Sequence, residues 1–216
     1  MKYVKMLGLA AVAAAALMAF VGAGTASATI LTCTEPVNLK VQCKTGTTIH
    51  AVNEGTLVLT GGFKTIECKK GTVHGTVTEA GSATTTVKGT ISALTFEECN
   101  CEVVVVKSGG GGTNFGTLEI HTENNGSVAN NNGTLTGSES KVTVNCSTIF
   151  GNVHCIYVTN ATHLGTLTGS SNLGGSTATL DVTAEIPREN TNGLCAEEAI
   201  WHAKYSITEP DWLDVD

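Results

Sequence analysis

The chain has 216 residues with twelve Lys or Arg against nineteen Asp or Glu, which gives a formal net charge of −7 at pH 7. Nucleic-acid binding depends on Lys and Arg neutralising phosphates, and Arg188 is the one arginine in the sequence. The composition therefore disfavours a nucleic-acid partner and an anionic membrane surface.

The N-terminal segment has the three parts of a secretory signal peptide. Lys2 and Lys5 supply a positive start, residues 6–21 form an apolar run, and the small residues Ala26-Ser27-Ala28 follow. This pattern predicts a cleavable signal peptide over residues 1–28. A retained membrane anchor is the alternative, because about 20 apolar residues span a bilayer. The Gly, Ser and Thr in the second half favour cleavage.

Cleavage at this point leaves residues 29–216, for which we predict one domain and no membrane attachment. The removed segment carries two lysines and no acid, so ten basic and nineteen acidic side chains remain, a net charge of −9. A chain of this length buries enough surface for one hydrophobic core.

The remaining sequence has the pattern of an antiparallel β protein, with short runs of Val, Ile, Leu and Thr separated by Gly, Asn and Ser. The continuous apolar run Val103–Val106 predicts a central strand covered on both faces. The alternation in Thr179–Ile186 predicts a strand with one buried face. Trp201–Ile207 alternates in the same way; residues 195–203 could form a short helix, but Trp, Tyr and Ile favour a strand.

These elements predict an all-β fold with a single antiparallel β-sandwich of about ten strands, and a closed β-barrel is the alternative. The hexapeptide Gly-Thr-Leu-Thr-Gly-Ser occurs at residues 133–138 and again at 165–170. Two copies do not make a repeat array, so we interpret them as similarly built strands.

The eight cysteines all follow the predicted signal peptide, where an exported chain meets oxidants, so we predict four disulfide bonds. Eight cysteines allow 105 pairings, and the sequence alone does not choose among them. Strand alternation points Cys68 and Cys146 inward. A zinc site is disfavoured because no Cys-x-x-Cys occurs. The pairing we favour is Cys33 with Cys43, Cys68 with Cys99, Cys101 with Cys146, and Cys155 with Cys195.

Motifs along the chain include Ala26-Ser27-Ala28, Thr48–Ala51, Ile66-Glu67-Cys68, Leu94-Thr95-Phe96, Gly116–Thr122 and Asp211–Asp216. These motifs resemble those of a group of secreted, uncharacterised β-rich proteins of soil actinobacteria. The resemblance implies export from a high-GC Gram-positive bacterium and an all-β fold, and it implies no activity.

Catalytic motifs are not evident, and we predict no catalytic residue and no cofactor. The segment 169–173 lacks the final glycine of a nucleophile elbow. Carboxylates four residues apart on one strand stand about 13 Å apart, too far for a glycosidase pair. Glu119, His121 and Glu123 share one strand face and form the weak metal-site candidate, against a solvated polar face.

Two functional classes agree with these observations. The first is an exported, non-catalytic binding or structural module, secreted or associated with the cell wall, with a wall polymer or a protein as its partner. The second is a secreted hydrolase whose carboxylates converge only in the fold. A sugar-binding version of the first class would need an aromatic platform from Trp212 or an exposed tyrosine.

Overall fold

The structure is a computed structural model that describes residues 29–33, 41–82, 84–107, 114–122, 132–149, 151–170 and 177–215. The predicted signal peptide lies outside the described residues. The described residues form strands and no helix, so no helix among them could cross a membrane. The strands are β1 Thr29–Thr32, β2 Thr48–Asn53, β3 Leu57–Gly62, β4 Thr65–Ser82, β5 Val87–Cys99, β6 Glu102–Val106, β7 Thr117–Thr122, β8 Asn132–Ser138, β9 Lys141–Thr148, β10 Gly151–Val158, β11 Thr162–Thr168, β12 Thr179–Pro187, β13 Cys195–Glu209 and β14 Asp214–Val215.

Eight antiparallel strands close into a barrel in the order β4-β2-β13-β12-β11-β8-β7-β5, and β5 pairs again with β4. The all-β class is confirmed, and the closed barrel is the architecture formed. The long strands β4 and β5 make the contact that closes the barrel. One edge of β4 pairs in turn with β3, β2 and β1, while its other edge pairs with β5 along most of its length.

Alternating side chains fill the barrel, as the sequence pattern predicts for β12 and β13. In β12, Val182, Ala184 and Ile186 are buried while Asp181 and Glu185 are exposed. In β13, the residues from Trp201 to Ile207 alternate in the same way, and the strand begins at Cys195 with no helical turn. Both strand predictions are confirmed, because aromatic and branched side chains fit a pleated, half-buried surface.

Two smaller ladders lie at the two ends of the barrel. A three-stranded sheet of β10, β9 and β6, here called the lid sheet, packs its inner face over the end where β4 and β13 begin. At the other end β1 pairs with β14, and Leu31 and Leu213 cover the interior. The barrel is therefore closed at both ends by chain segments.

The prediction of a doubly covered central strand at Val103–Val106 is wrong. The run forms β6, the edge strand of the lid sheet, which pairs only with β9 within the described chain. Val103 faces the barrel interior, whereas Val104 and Val106 are 43% and 36% exposed. An apolar run reports β-propensity, but it does not report how many partners the strand will find.

The two hexapeptide copies occupy β8 and β11, which pair with each other in the barrel wall. Gly133 lies opposite Leu167, and Gly165 lies opposite Leu135. Both leucines are buried at 4% exposure. Each copy therefore pairs its glycine with the other copy's leucine across the two strands.

The four disulfides join Cys33 to Cys43, Cys68 to Cys99, Cys101 to Cys146 and Cys155 to Cys195, the pairing favoured from the sequence. Cys68 and Cys146 are both buried, as their strand positions predict. The last bridge connects β10 of the lid sheet to β13 of the barrel. This bridge fastens the lid sheet to the barrel, whereas the Cys68–Cys99 bridge joins two barrel strands and the Cys101–Cys146 bridge joins the residue before β6 to β9 within the lid sheet.

Candidate functional site

The barrel encloses two apolar chambers. One, of about 70 Å³, lies beneath the lid sheet and is called the lid chamber. The other, of about 90 Å³, lies toward β1 and β14. Val73, Leu118, Leu135 and Leu180 line both chambers and form the wall between them. The two chambers therefore share these four aliphatic side chains as a common boundary.

Two hydroxyl groups at the lid chamber are buried without a hydrogen-bond partner among the described residues: Oγ of Ser140 and the phenolic oxygen of Tyr205. Tyr205 has no solvent exposure, and Ser140 is 8% exposed. Burial raises the pKa of Tyr205 above its ordinary value, so its hydroxyl stays protonated. A buried polar group without a partner is unfavourable, typically by about 1–3 kcal/mol.

Replacing Tyr205 with phenylalanine tests this description of the core. We expect Tyr205→Phe to stabilise the oxidised protein by about 1 kcal/mol at neutral pH, because it removes the unpaired hydroxyl and keeps the ring. Urea unfolding measures the change. A loss of stability would show that the hydroxyl has a partner in solution.

The same variant changes the response to alkali. The pKa of an unfolded tyrosine is about 10, and burial raises the pKa of Tyr205 in the folded protein above that value. Above pH ~10 the unfolded chain therefore binds fewer protons than the folded protein. Stability is therefore lost as the pH rises past about 10, by up to about 1.4 kcal/mol per pH unit for each such tyrosine. In Tyr205→Phe, the free energy of unfolding should fall less steeply with pH above about 10, because one buried tyrosine has been removed. Equal slopes in the two proteins would contradict the raised pKa of Tyr205.

Apart from the two inner chambers, a concave surface of about 640 Å³ opens to solvent where the lid sheet meets the barrel. We call it the polar cleft; its lining residues are Cys99–Glu102, Asn145–Ser147 and Asn152–His154. Two disulfides end in its wall, one through Cys99 and the other through Cys101 and Cys146. Its side chains therefore sit on a cross-linked part of the backbone.

A row of hydrogen-bonded side chains crosses the lid sheet in the polar cleft. Strand register places Glu102 and His154 on either side of Asn145. The amide of Asn145 donates to Oε2 of Glu102 at 2.9 Å, and its oxygen lies 2.5 Å from Nδ1 of His154. The Asn145 side-chain oxygen can only accept, so Nδ1 of His154 donates to it.

Asn100, which connects β5 to β6, is fixed by bonds to the start of β4. Its Oδ1 accepts from the amide of Glu67 at 3.1 Å, and its Nδ2 donates to the carbonyl of Thr65 at 3.1 Å. The adjacent Glu98 has a positive φ of 53° and pairs with Lys70 at 2.5 Å. Hydrogen bonding from Lys70 lowers the pKa of Glu98, so this carboxyl is ionised. The two neighbours of Cys99 in the chain, Glu98 and Asn100, therefore both bond to β4 and hold the turn between β5 and β6 in place.

The predicted metal candidates are only partly described. Glu119 and His121 lie on one face of β7, with Oε2 of Glu119 3.8 Å from Nε2 of His121, and both side chains are about half exposed. Glu123 lies outside the described residues. Within the described ranges no three His, Cys, Asp or Glu side chains are grouped so as to hold an ion. The three-residue site therefore stays a prediction.

The hydrolase hypothesis requires a cleft flanked by carboxylates with raised pKa values. Within the described chain, Glu139 and Glu189 line one open cleft of about 360 Å³, together with Arg188. Glu102 is the one carboxylate that lines the polar cleft. The pKa values of Glu54 and Glu98 are both lowered, by hydrogen bonds from Lys204 and Lys70 respectively. A general acid at neutral pH needs a raised pKa.

The aromatic platform that a stacking mode of sugar binding would need is not available among the described Trp and Tyr residues. Trp212 is 7% exposed, and Tyr157 and Tyr205 are buried. Trp201 packs edge-on against Phe96 and Tyr205 inside the barrel. The core takes these rings, so a sugar partner would have to be held by hydrogen bonds and not by stacking on them.

Comparison with protein-family models, with curated proteins and with solved structures finds no match to this chain.

The sequence did not indicate the polar cleft. Glu102 and His154 lie 43 and 9 residues from Asn145 along the chain, and only the register of three strands brings them together. The one local signal was Cys99-Asn100-Cys101, where two bridged cysteines must point toward different partners. That spacing marks a backbone corner, and the corner forms one side of the cleft.

Proposed function

We propose that the protein is an exported, non-catalytic binding module of the extracellular space or cell wall, and that the polar cleft is its recognition surface for a neutral polymer rich in hydroxyl and amide groups. The observation that carries this proposal is the Glu102–Asn145–His154 row, held on a cross-linked surface.

The chemistry of the lining suits such a partner. Asn100, Asn145 and Asn152 bring amides, and Ser147 donates to the oxygen of Asn152 at 2.9 Å. Amides present both donors and acceptors, as do the hydroxyl and acetamido groups of a wall glycan. Glu102 gives the lining one formal charge, so recognition rests on hydrogen bonds more than on ion pairing.

Preorganisation supports the same proposal. Binding costs free energy for each side chain that must be ordered, about 0.5–1.5 kcal/mol for a flexible one. The cleft side chains are short, and neighbours already hold the central ones. The backbone carbonyl of His154 accepts from Asn190 at 2.8 Å, which fixes the outer strand of the lid sheet.

The four disulfides support export, because such bonds persist in oxidising compartments. The predicted signal peptide gives the route. A bacterial cell wall is then the polymer that the mature protein meets first.

Co-sedimentation with purified cell-wall polysaccharide tests the proposal. The oxidised mature protein should bind saturably, and Asn145→Ala should weaken binding about tenfold or more, because it removes the centre of the row and a direct contact. Asn160→Ala, on an exposed turn away from the cleft, is the matched control and should bind normally. Equal affinity of the two variants would reject the cleft.

A chelator arm separates the cleft from the metal candidate. Binding through the cleft should be unchanged by a chelator and by His121→Ala. Loss of binding in both cases would instead favour an ion held by Glu119, His121 and Glu123.

A further inference from the structure

We infer that the lid chamber is a second binding site, which takes a small, mainly apolar molecule carrying one hydroxyl or carbonyl group. It is independent of the polar cleft, since it lies on the inner side of the lid sheet. Its lining is aliphatic and aromatic, with Leu59, Phe96 and Trp201 among the contributors. The polar exceptions include Ser140 and Tyr205.

The unpaired hydroxyls carry this inference. A packed core gains nothing from a buried hydroxyl that bonds to nothing, and phenylalanine would fill the place of Tyr205 equally well. By contrast, Tyr157, which also lines the chamber, donates its hydroxyl to the carbonyl of Gly61 at 3.3 Å. The hydroxyls of Ser140 and Tyr205 therefore differ from that of Tyr157, which has a hydrogen-bond partner within the protein.

Gly116 packs closely against the hydroxyl of Ser140. A Cβ at Gly116 would lie 2.2 Å from Oγ of Ser140, so only glycine fits at that position. The backbone of Ser140 is already satisfied by Thr159, whose hydroxyl accepts from the Ser140 amide at 2.9 Å. The side-chain hydroxyl remains for a partner outside the described protein atoms.

Size limits the guest to about the dimensions of one aromatic ring. An apolar cavity of roughly 150 Å³ is known to admit benzene. The lid chamber of about 70 Å³ and its neighbour of about 90 Å³ reach this size together if the leucines between them change rotamer. A ring-sized guest would therefore extend across the wall formed by Leu118, Leu135 and Leu180.

Phenol and benzene form a matched pair of probes, because they differ by one hydroxyl. Calorimetric or NMR titration of the oxidised protein should show saturable phenol binding about tenfold tighter than benzene binding, since one hydrogen bond is worth about that factor. Tyr205→Phe combined with Ser140→Ala should abolish the preference and leave benzene affinity unchanged or higher. Ser92→Ala, at an exposed serine of β5, is the control and should retain the preference.

Near-UV circular dichroism of each variant verifies that the barrel is folded. Equal phenol and benzene affinities in the unmodified protein would overturn the inference, as would a preference that survives the double substitution. Failure of both probes to bind would also overturn it and would assign the chamber to water or to empty space. None of these outcomes bears on polysaccharide binding by the polar cleft.

Discussion

Gly165→Ala is expected to lower the free energy of unfolding by about 4 kcal/mol or more, among the largest effects of single substitutions. A Cβ at Gly165 would lie 1.9 Å from the carbonyl oxygen of Asp181, which is backbone and cannot rotate away. Gly165 pairs with Val182 and lies at a register shift between β11 and β8. Its φ of 152° adds to the cost. Alanine would therefore force apart two strands of the barrel wall.

Gly151→Ala is the matched control for this prediction. Gly151 also has a positive φ, 105°, but nothing lies within 4 Å of an added Cβ. This variant should lose only the conformational part, about 1–2 kcal/mol. Chemical denaturation in non-reducing buffer measures both. Similar small losses in the two variants would show that β11 and β12 are not packed as described.

Removal of the Cys101–Cys146 bridge is expected to have the second largest effect. The bridge joins residues 45 apart in sequence, and the chain-entropy relation assigns about 4 kcal/mol to a loop of that length. Replacing both cysteines with alanine avoids a free thiol and allows a clean comparison of unfolding midpoints. Because the bridge ends in the polar cleft, the variant should also bind wall polysaccharide more weakly.

The shortest bridge provides the comparison. Cys33 and Cys43 are 10 residues apart, and the same relation gives about 2.7 kcal/mol for that loop. The corresponding double-alanine variant should therefore be less affected in stability and should retain polysaccharide binding, since it lies far from the cleft. A larger loss from this short loop would contradict the entropic assignment.

Local sequence patterns correctly predicted the features that depend on a single strand, such as which of its faces is buried. The alternation in residues 179–186 indicated a strand with one buried face, and the inward parity of Cys68 and Cys146 agrees with the bridges that form. Val103–Val106 was misinterpreted, because an edge strand whose inner face covers a barrel end has the same apolar composition as a central strand. The apolar composition of a strand indicates that it is partly buried, but it does not indicate how many strands pair with it.

The functional features depend on pairing between distant segments, which the sequence pattern does not encode. The polar row requires the register of β6, β9 and β10, and the unpaired hydroxyl of Tyr205 can be recognised only once its surroundings are known. The choice between barrel and sandwich likewise depended on whether β5 returns to β4. Each of these is a tertiary fact decided by contacts far apart in the chain.

The measurement that tests the account most directly is an NMR titration of the isotope-labelled, oxidised mature protein with soluble fragments of cell-wall polysaccharide. Recognition by the polar cleft should give saturable shift changes concentrated at Asn100, Asn145 and His154, with little change at Glu119 or His121. Changes centred elsewhere on the barrel, or no change at saturating fragment, would contradict the polar cleft as the recognition surface.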